Sequence, residues 1–239
     1  MAKYGKWIGG GLGWALLGPL GGLLGFFVGS VFDQSGAQER MAGGRTTRGD
    51  FAVSLLVLVA AVMKADGKVL KSELEYVKKY FVQSFGEAQA QEAMIMLRDI
   101  LNQQIPLRDV STQIKQKLDY PSRLQLLHFI YGISQADGKV HPEELKVIRA
   151  IAGYMGVSQK DMDSIQSMFY EDTDSSYKIL EIDKSATDEE VKKAYRKMAT
   201  KYHPDKVSYL GEEFRNAAKE KFQKLSEAYE NIKKERGMN

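Results

Sequence analysis

The chain has 239 residues, with 34 Lys and Arg against 31 Asp and Glu and no cysteine. A formal net charge of +3, with acidic and basic residues interleaved, offers no phosphate-tracking stripe and argues against a nucleic-acid partner. The missing cysteines exclude disulfides, thiolate metal sites and a cysteine nucleophile, and no glycine loop leads to Lys-Ser/Thr, so nothing points to an enzyme.

The first element, residues 7 to 32, contains no charged residue. As a helix it would be about 39 Å long, enough to cross a hydrocarbon core of ~30 Å with some tilt. Residues 1–33 are therefore read as a transmembrane segment, with Trp7 as an interfacial anchor. Nine glycines and Pro19 are tolerated in a membrane helix. The spacing of Gly18, Gly22, Gly25 and Gly29 suits close helix contact, hence a homodimer through this segment. A signal peptide, a flexible glycine-rich tail and an interfacial helix compete with this reading. The first wants a shorter apolar core and a cleavage site, and the last wants a polar face. Charge leaves orientation open, because Lys3 and Lys6 stand before the span and Arg40, Arg45 and Arg48 after it. Residues 34–49 are polar and form a juxtamembrane linker.

From residue 50 to 170 the apolar period is helical, in segments near 50–65, 71–85, 87–104, 106–118, 121–136, 142–155 and 158–170. No period-two run argues a strand, so an all-α bundle is predicted. A repeat lies inside it. Ala65-Asp66-Gly67-Lys68-Val69, with Glu73, returns as Ala136-Asp137-Gly138-Lys139-Val140, with Glu144. Asp-Gly after an apolar helix is a helix terminator, the glycine being left-handed. The alternative is that Asp66, Glu73, Asp137 and Glu144 converge on a divalent cation, as hard oxygen ligands for calcium or magnesium. His128 and His141 are read as structural, because no second His or Cys stands at metal spacing.

Residues 171–176 form a linker too short to hold two folded domains far apart. Beyond it, residues 177–239 read as a helical hairpin. Thr187 or Asp188 caps a helix to about Tyr202, whose apolar stripe is Val191, Tyr195, Met198 and Tyr202. Lys193, Arg196 and Lys197 fall on the opposite side, and Lys201 follows. Pro204 stops the helix and leaves His203-Pro204-Asp205 as a rigid polar loop. A returning helix carries Phe214, Ala218, Phe222, Leu225, Tyr229 and Ile232.

Tyr177-Lys178-Ile179-Leu180, the stretch from Ala194 to Lys206 and Phe222 to Ile232 together resemble the J domain of the DnaJ family. The repeat-containing bundle resembles the TerB-like helical domain. The order of span, bundle and J domain, with Lys6-Trp7-Ile8-Gly9 before the span, resembles the DjlA-type membrane-anchored co-chaperones. The resemblance implies that His203, Pro204 and Asp205 dock on a DnaK-type chaperone and stimulate its ATP hydrolysis. It implies that Lys193, Arg196, Lys197 and Lys201 face an acidic surface of that partner, and that no cofactor is required. It also implies the bacterial inner membrane, with the N-terminus outside and both folded domains cytoplasmic, where DnaK and ATP are. The other reading is a membrane-bound metal- or stress-sensing scaffold in which the TerB-like domain is the functional part.

Overall fold

Residues 54–63 and 124–133 are apolar almost all round, and helices of that kind belong in the middle of a bundle. The computed structural model, which describes residues 48–138, 141–169, 174–210 and 212–238, puts them there. Helix α1 (Arg48–Met63) and helix α5 (Tyr120–Ser134) pack on each other at the centre. Leu55, Val57, Leu58, Leu126, Leu127 and Ile130 are fully buried between them and their neighbours.

Around that pair run α2 (Lys71–Phe85), α3 (Glu87–Leu101), α4 (Leu107–Lys117), α6 (Pro142–Tyr154) and α7 (Gln159–Ser167). Each needs only one apolar stripe, such as Val77 and Phe81 in α2 or Ile148 and Ile151 in α6. The fold is all-α, with no strand among the described residues. The expected helices all form; α3 and α7 end three residues early, at Leu101 and Ser167. The early end of α3 has a local cause. The Asn102 and Gln103 N–H groups turn back to carbonyls three residues earlier, and the Gln103 carbonyl accepts from the Lys64 ammonium.

The repeated Asp-Gly ends α1 and α5 in the same way. Gly67 and Gly138 have φ of 78° and 77°, and the Asp66 carboxylate accepts from the Lys68 N–H at 2.9 Å. A side chain at either glycine would be strained, so helix termination accounts for the motif.

The C-terminal hairpin follows as a short helix α8 (Ser175–Ile179), α9 (Asp188–Lys201), a 3-10 segment (Pro204–Leu210) and α10 (Glu212–Arg236). It does not stand apart. Helix α8 lies along α7, where the Ser164 hydroxyl donates to the Ile179 carbonyl at 2.8 Å, and the 3-10 segment rests on α1 and α5. The apolar stretch from 7 to 32, with Gly18, Gly22, Gly25 and Gly29, lies outside the described residues. Among those described, no helix is long and apolar enough to cross a membrane.

Candidate functional site

Helix α9 begins with a reciprocal cap. The Thr187 hydroxyl accepts from the Glu190 N–H at 3.3 Å, and the Glu190 carboxylate accepts from the Thr187 N–H at 2.8 Å. Asp188, Glu189 and Glu190 fill the first turn and Lys201 the last, so the charges run with the helix dipole. Val191 and Met198 are fully buried, and Tyr195 stacks on Tyr229 of α10 with ring centroids 4.3 Å apart. Arg236 closes the far end, donating to the Tyr177 hydroxyl at 3.0 Å and to the carbonyls of Lys184 and Ala186. The hairpin thus holds α9 rigidly while one side of it stays in water.

That side carries Lys192, Lys193, Arg196 and Lys197, all exposed. Among the described residues Lys197 alone of the four lies within ion-pair distance of a carboxylate, Glu181 at 3.8 Å, and its side chain remains 71% exposed; the Lys193 charge is felt by Glu190 without pairing with it. Lys201, expected to belong to this face, does not. Its ammonium turns inward to pair with Asp161 of α7 and with Glu181 at 2.8 Å, both nearly buried. Four residues separate Lys201 from Lys197 along the helix, but the bundle covers the last turn and supplies a carboxylate there.

His203, Pro204 and Asp205 follow at the open end of the hairpin. The loop expected over 203–205 is shorter than anticipated, because Pro204 opens the 3-10 segment. Proline lacks the N–H that a first helical residue leaves unused, and its fixed φ suits the position. The His203 and Asp205 side chains are 51% and 68% exposed. Asp205 N–H approaches His203 Nδ1 at 3.3 Å, the Lys206 N–H donates to the His203 carbonyl at 2.9 Å, and the Arg215 guanidinium lies 3.8 Å from the Asp205 carboxylate. The Phe222 ring stands edge-on to the imidazole, with centroids 6.0 Å apart. The His203 Nδ1 also lies 3.5 Å from the Asp205 carboxylate, and both side chains keep at least half of their surface in solvent, where a partner can reach them.

The four carboxylates of the repeat are near enough to feel one another. Glu73 and Glu144 are each 2% exposed, and each reaches back to the N–H that precedes its helix, that of Leu70 at 2.8 Å and that of His141. Burial, then the charges of Glu73 and Asp66, push the Glu144 carboxyl up to about 7. Its Oε2 is buried without a hydrogen-bond partner. Among the described residues, however, no group of three or more His, Asp and Glu could hold a metal ion. His141 lies 3.8 Å from Asp137, and His128 packs on Phe169, where burial and the nearby Lys221 hold its pKa below the usual range.

Asp119, Asp161, Tyr209 and Lys221, which join the hairpin to the bundle, were not singled out by sequence reasoning. Lys221 carries a signal, because it sits three residues after Ala218 and four before Leu225, on the buried stripe of α10. The other three carry none.

Residues 175–237 match the family model of the DnaJ domain, residues 52–167 that of tellurite resistance protein TerB, and residues 1–47 that of the co-chaperone DjlA transmembrane domain. The chain is 30% identical over 263 residues to a Vibrio vulnificus protein named co-chaperone protein DjlA, with 88% of this chain and 90% of the relative covered. Proteins of the same name from Photobacterium profundum and Vibrio cholerae are 27% and 29% identical, covering 98% and 100% of this chain and 99% and 100% of their own. No solved structure matches.

Proposed function

Because the chain belongs to the DjlA family of co-chaperones, we propose that it stimulates ATP hydrolysis by a DnaK-type chaperone at the cytoplasmic face of the bacterial inner membrane. It is a regulator that acts on a partner rather than an enzyme in its own right. The observation that supports this reading is the exposed His203 and Asp205, on either side of a half-buried Pro204 at the end of the hairpin, next to a cationic face whose Lys193 and Arg196 have no ion-pair partner among the described residues. The two parts divide the work. Lys193, Arg196 and Lys197 attract an acidic surface over a distance of about one Debye length, which raises the encounter rate. The loop then makes the short-range contacts that alter the partner's active site. ATP and its chemistry stay with the partner.

The orientation that follows puts the N-terminus outside and both folded domains on the side where ATP is. With no cysteine in the chain, single cysteines placed at 3 and at 239 and probed with a membrane-impermeant maleimide on intact cells test it. Labelling at 239 alone would reverse the topology. Function is tested by single-turnover ATP hydrolysis with a DnaK-type chaperone, comparing wild type with a His203→Gln variant.

The buried Glu144 Oε2 calls for a counter-charge, and a proton serves it better than a divalent cation. Burial and the neighbouring charges raise its pKa to about 7, which favours uptake of a proton, and among the described residues no group of three His, Asp or Glu could hold a metal ion.

A further inference from the structure

We propose that the helical bundle positions the His203-Pro204-Asp205 loop, with Asp161 holding Lys201 and Tyr202 immediately before it and Asp119 holding Tyr209 four residues after it. The proposal rests on the co-chaperone reading for its effect on a partner, but the geometry stands on its own.

Before the loop, Asp161 takes both Lys201 and Tyr202. It is 2% exposed and accepts from the Tyr202 hydroxyl at 3.2 Å, from the Tyr120 and Ser158 hydroxyls at 2.6 Å each, and from the Lys201 ammonium. Every donor but Tyr202 and Lys201 comes from the bundle, so the carboxylate is fixed before the hairpin arrives. Burial alone would raise its pKa, yet the Lys201, Ser158 and Tyr120 hydrogen bonds hold it below the usual range, and it stays charged. Lys201 is held from its other side by Glu181, a residue at φ 58° that few side chains adopt without compensation.

After the loop, the Tyr209 hydroxyl donates to Asp119 and shares a 2.8 Å hydrogen bond with the Ser122 hydroxyl. Asp119 is itself the N-cap of α5, accepting from the Ser122 N–H at 2.9 Å, so this anchor is tied to a central helix. A third anchor backs the loop. Lys221 donates to Gln125 of α5 at 3.1 Å, and its chain neighbour Phe222 carries the ring that meets His203. The loop is therefore pinned at Lys201–Tyr202 and Tyr209 and supported at Phe222. The side chains of His203 and Asp205 still face solvent, so the seam orients the loop without covering it.

The test uses the full-length chain in phospholipid vesicles, with the variants Asp161→Asn, Tyr209→Phe and their combination. Each removes a charge or hydroxyl without changing size. Two quantities are read from stimulated single-turnover hydrolysis by a DnaK-type chaperone: the maximal rate, and the concentration giving half of it. Loosening the loop should lower the maximal rate at least about fivefold in Tyr209→Phe, the factor that one net hydrogen bond is worth, and further in Asp161→Asn, which also removes the charge that Lys201 pairs with. The half-saturating concentration should move less than about twofold, because the basic face still drives encounter. A purely structural defect does the reverse, leaving the maximum intact and raising the concentration needed. Asp161→Glu, which keeps the charge, should recover part of the loss.

Selective labelling of the three histidines gives a readout independent of the partner. The His203 ring signals should broaden or shift in both single variants while those of His141 stay put. Should wild type fail to stimulate hydrolysis, the co-chaperone reading falls and the histidine signals decide the positioning alone. Wild-type maximal rates together with unshifted His203 signals would overturn it.

Discussion

Lys221→Met should make the protein more stable at neutral pH and less stable at pH 10. Lys221 is 3% exposed, and burial draws the pKa of its amine from 10.5 down to about 7, with Asp161 opposing and Lys201 reinforcing the effect. Between about pH 7 and 10.5 the unfolded chain therefore binds a proton that the native chain does not, and stability rises with pH through that window. At about 1.4 kcal/mol per pH unit, the stability missing at pH 7 has a ceiling of about 5 kcal/mol. Methionine escapes this cost but loses two contacts. Losing the hydrogen bond to Gln125 at 3.1 Å leaves a buried oxygen unpaired, about 1–3 kcal/mol, and losing the cation over the Tyr202 ring at 4.7 Å costs about 0.5–2 kcal/mol near pH 7 and below, where the amine is charged. The net is a gain of about 1–2 kcal/mol at pH 7 that shrinks as pH rises and becomes a loss near pH 10. Urea unfolding of residues 48–239 at one-unit pH steps, variant against wild type, measures it, because other titrations cancel in the difference. Parallel curves from pH 7 to 10 would refute the reasoning.

Reversing Lys193 and Lys197 to Glu should slow association with the chaperone by about tenfold at low salt, with stability nearly unchanged at these exposed positions, and stopped-flow mixing at several ionic strengths checks both. Glu144→Gln should stabilise the bundle at pH 8 by about 1–3 kcal/mol. A native carboxyl raised from 4.5 to about 7 holds its proton longer than the unfolded one, so stability falls as pH rises through that range, and glutamine removes the loss. Millimolar calcium should leave the wild-type thermal midpoint where it is, and a rise that is absent in Glu144→Gln would restore the cation. Replacing Gly22 and Gly25 with Leu should keep the chain in the membrane after carbonate extraction yet weaken its self-association, since leucine favours lipid and keeps backbones apart.

The outer helices were legible because each has an apolar stripe with a period that only a helix satisfies, while the two central ones, apolar almost all round, carry no such stripe. α9 shows this best, its buried Val191 and Met198 lying on the predicted stripe. Asp-Gly was legible for the same local reason, since a left-handed glycine ends a helix whatever surrounds it. What could not be read was the seam between the two domains. Asp161 meets Tyr202 across 41 residues and Asp119 meets Tyr209 across 90, and no local pattern announces a pairing at that distance. Lys201 shows the cost of a purely local argument. A helical wheel groups it with Lys197, while the bundle gives its ammonium the buried Asp161, and Glu181 of the hairpin itself holds it from the other side. The 3-10 turn at Pro204 was missed for a milder reason, that proline stops one helix and starts another equally well.

The central claim is that His203, Pro204 and Asp205 act on a partner and not on the fold. His203 is half exposed at a helix end and donates no hydrogen bond to the core among the described residues, so His203→Gln should melt within about a degree of wild type. In single-turnover hydrolysis with a DnaK-type chaperone, wild type should accelerate ATP cleavage and the folded His203→Gln variant should not. Equal acceleration by both would contradict the account.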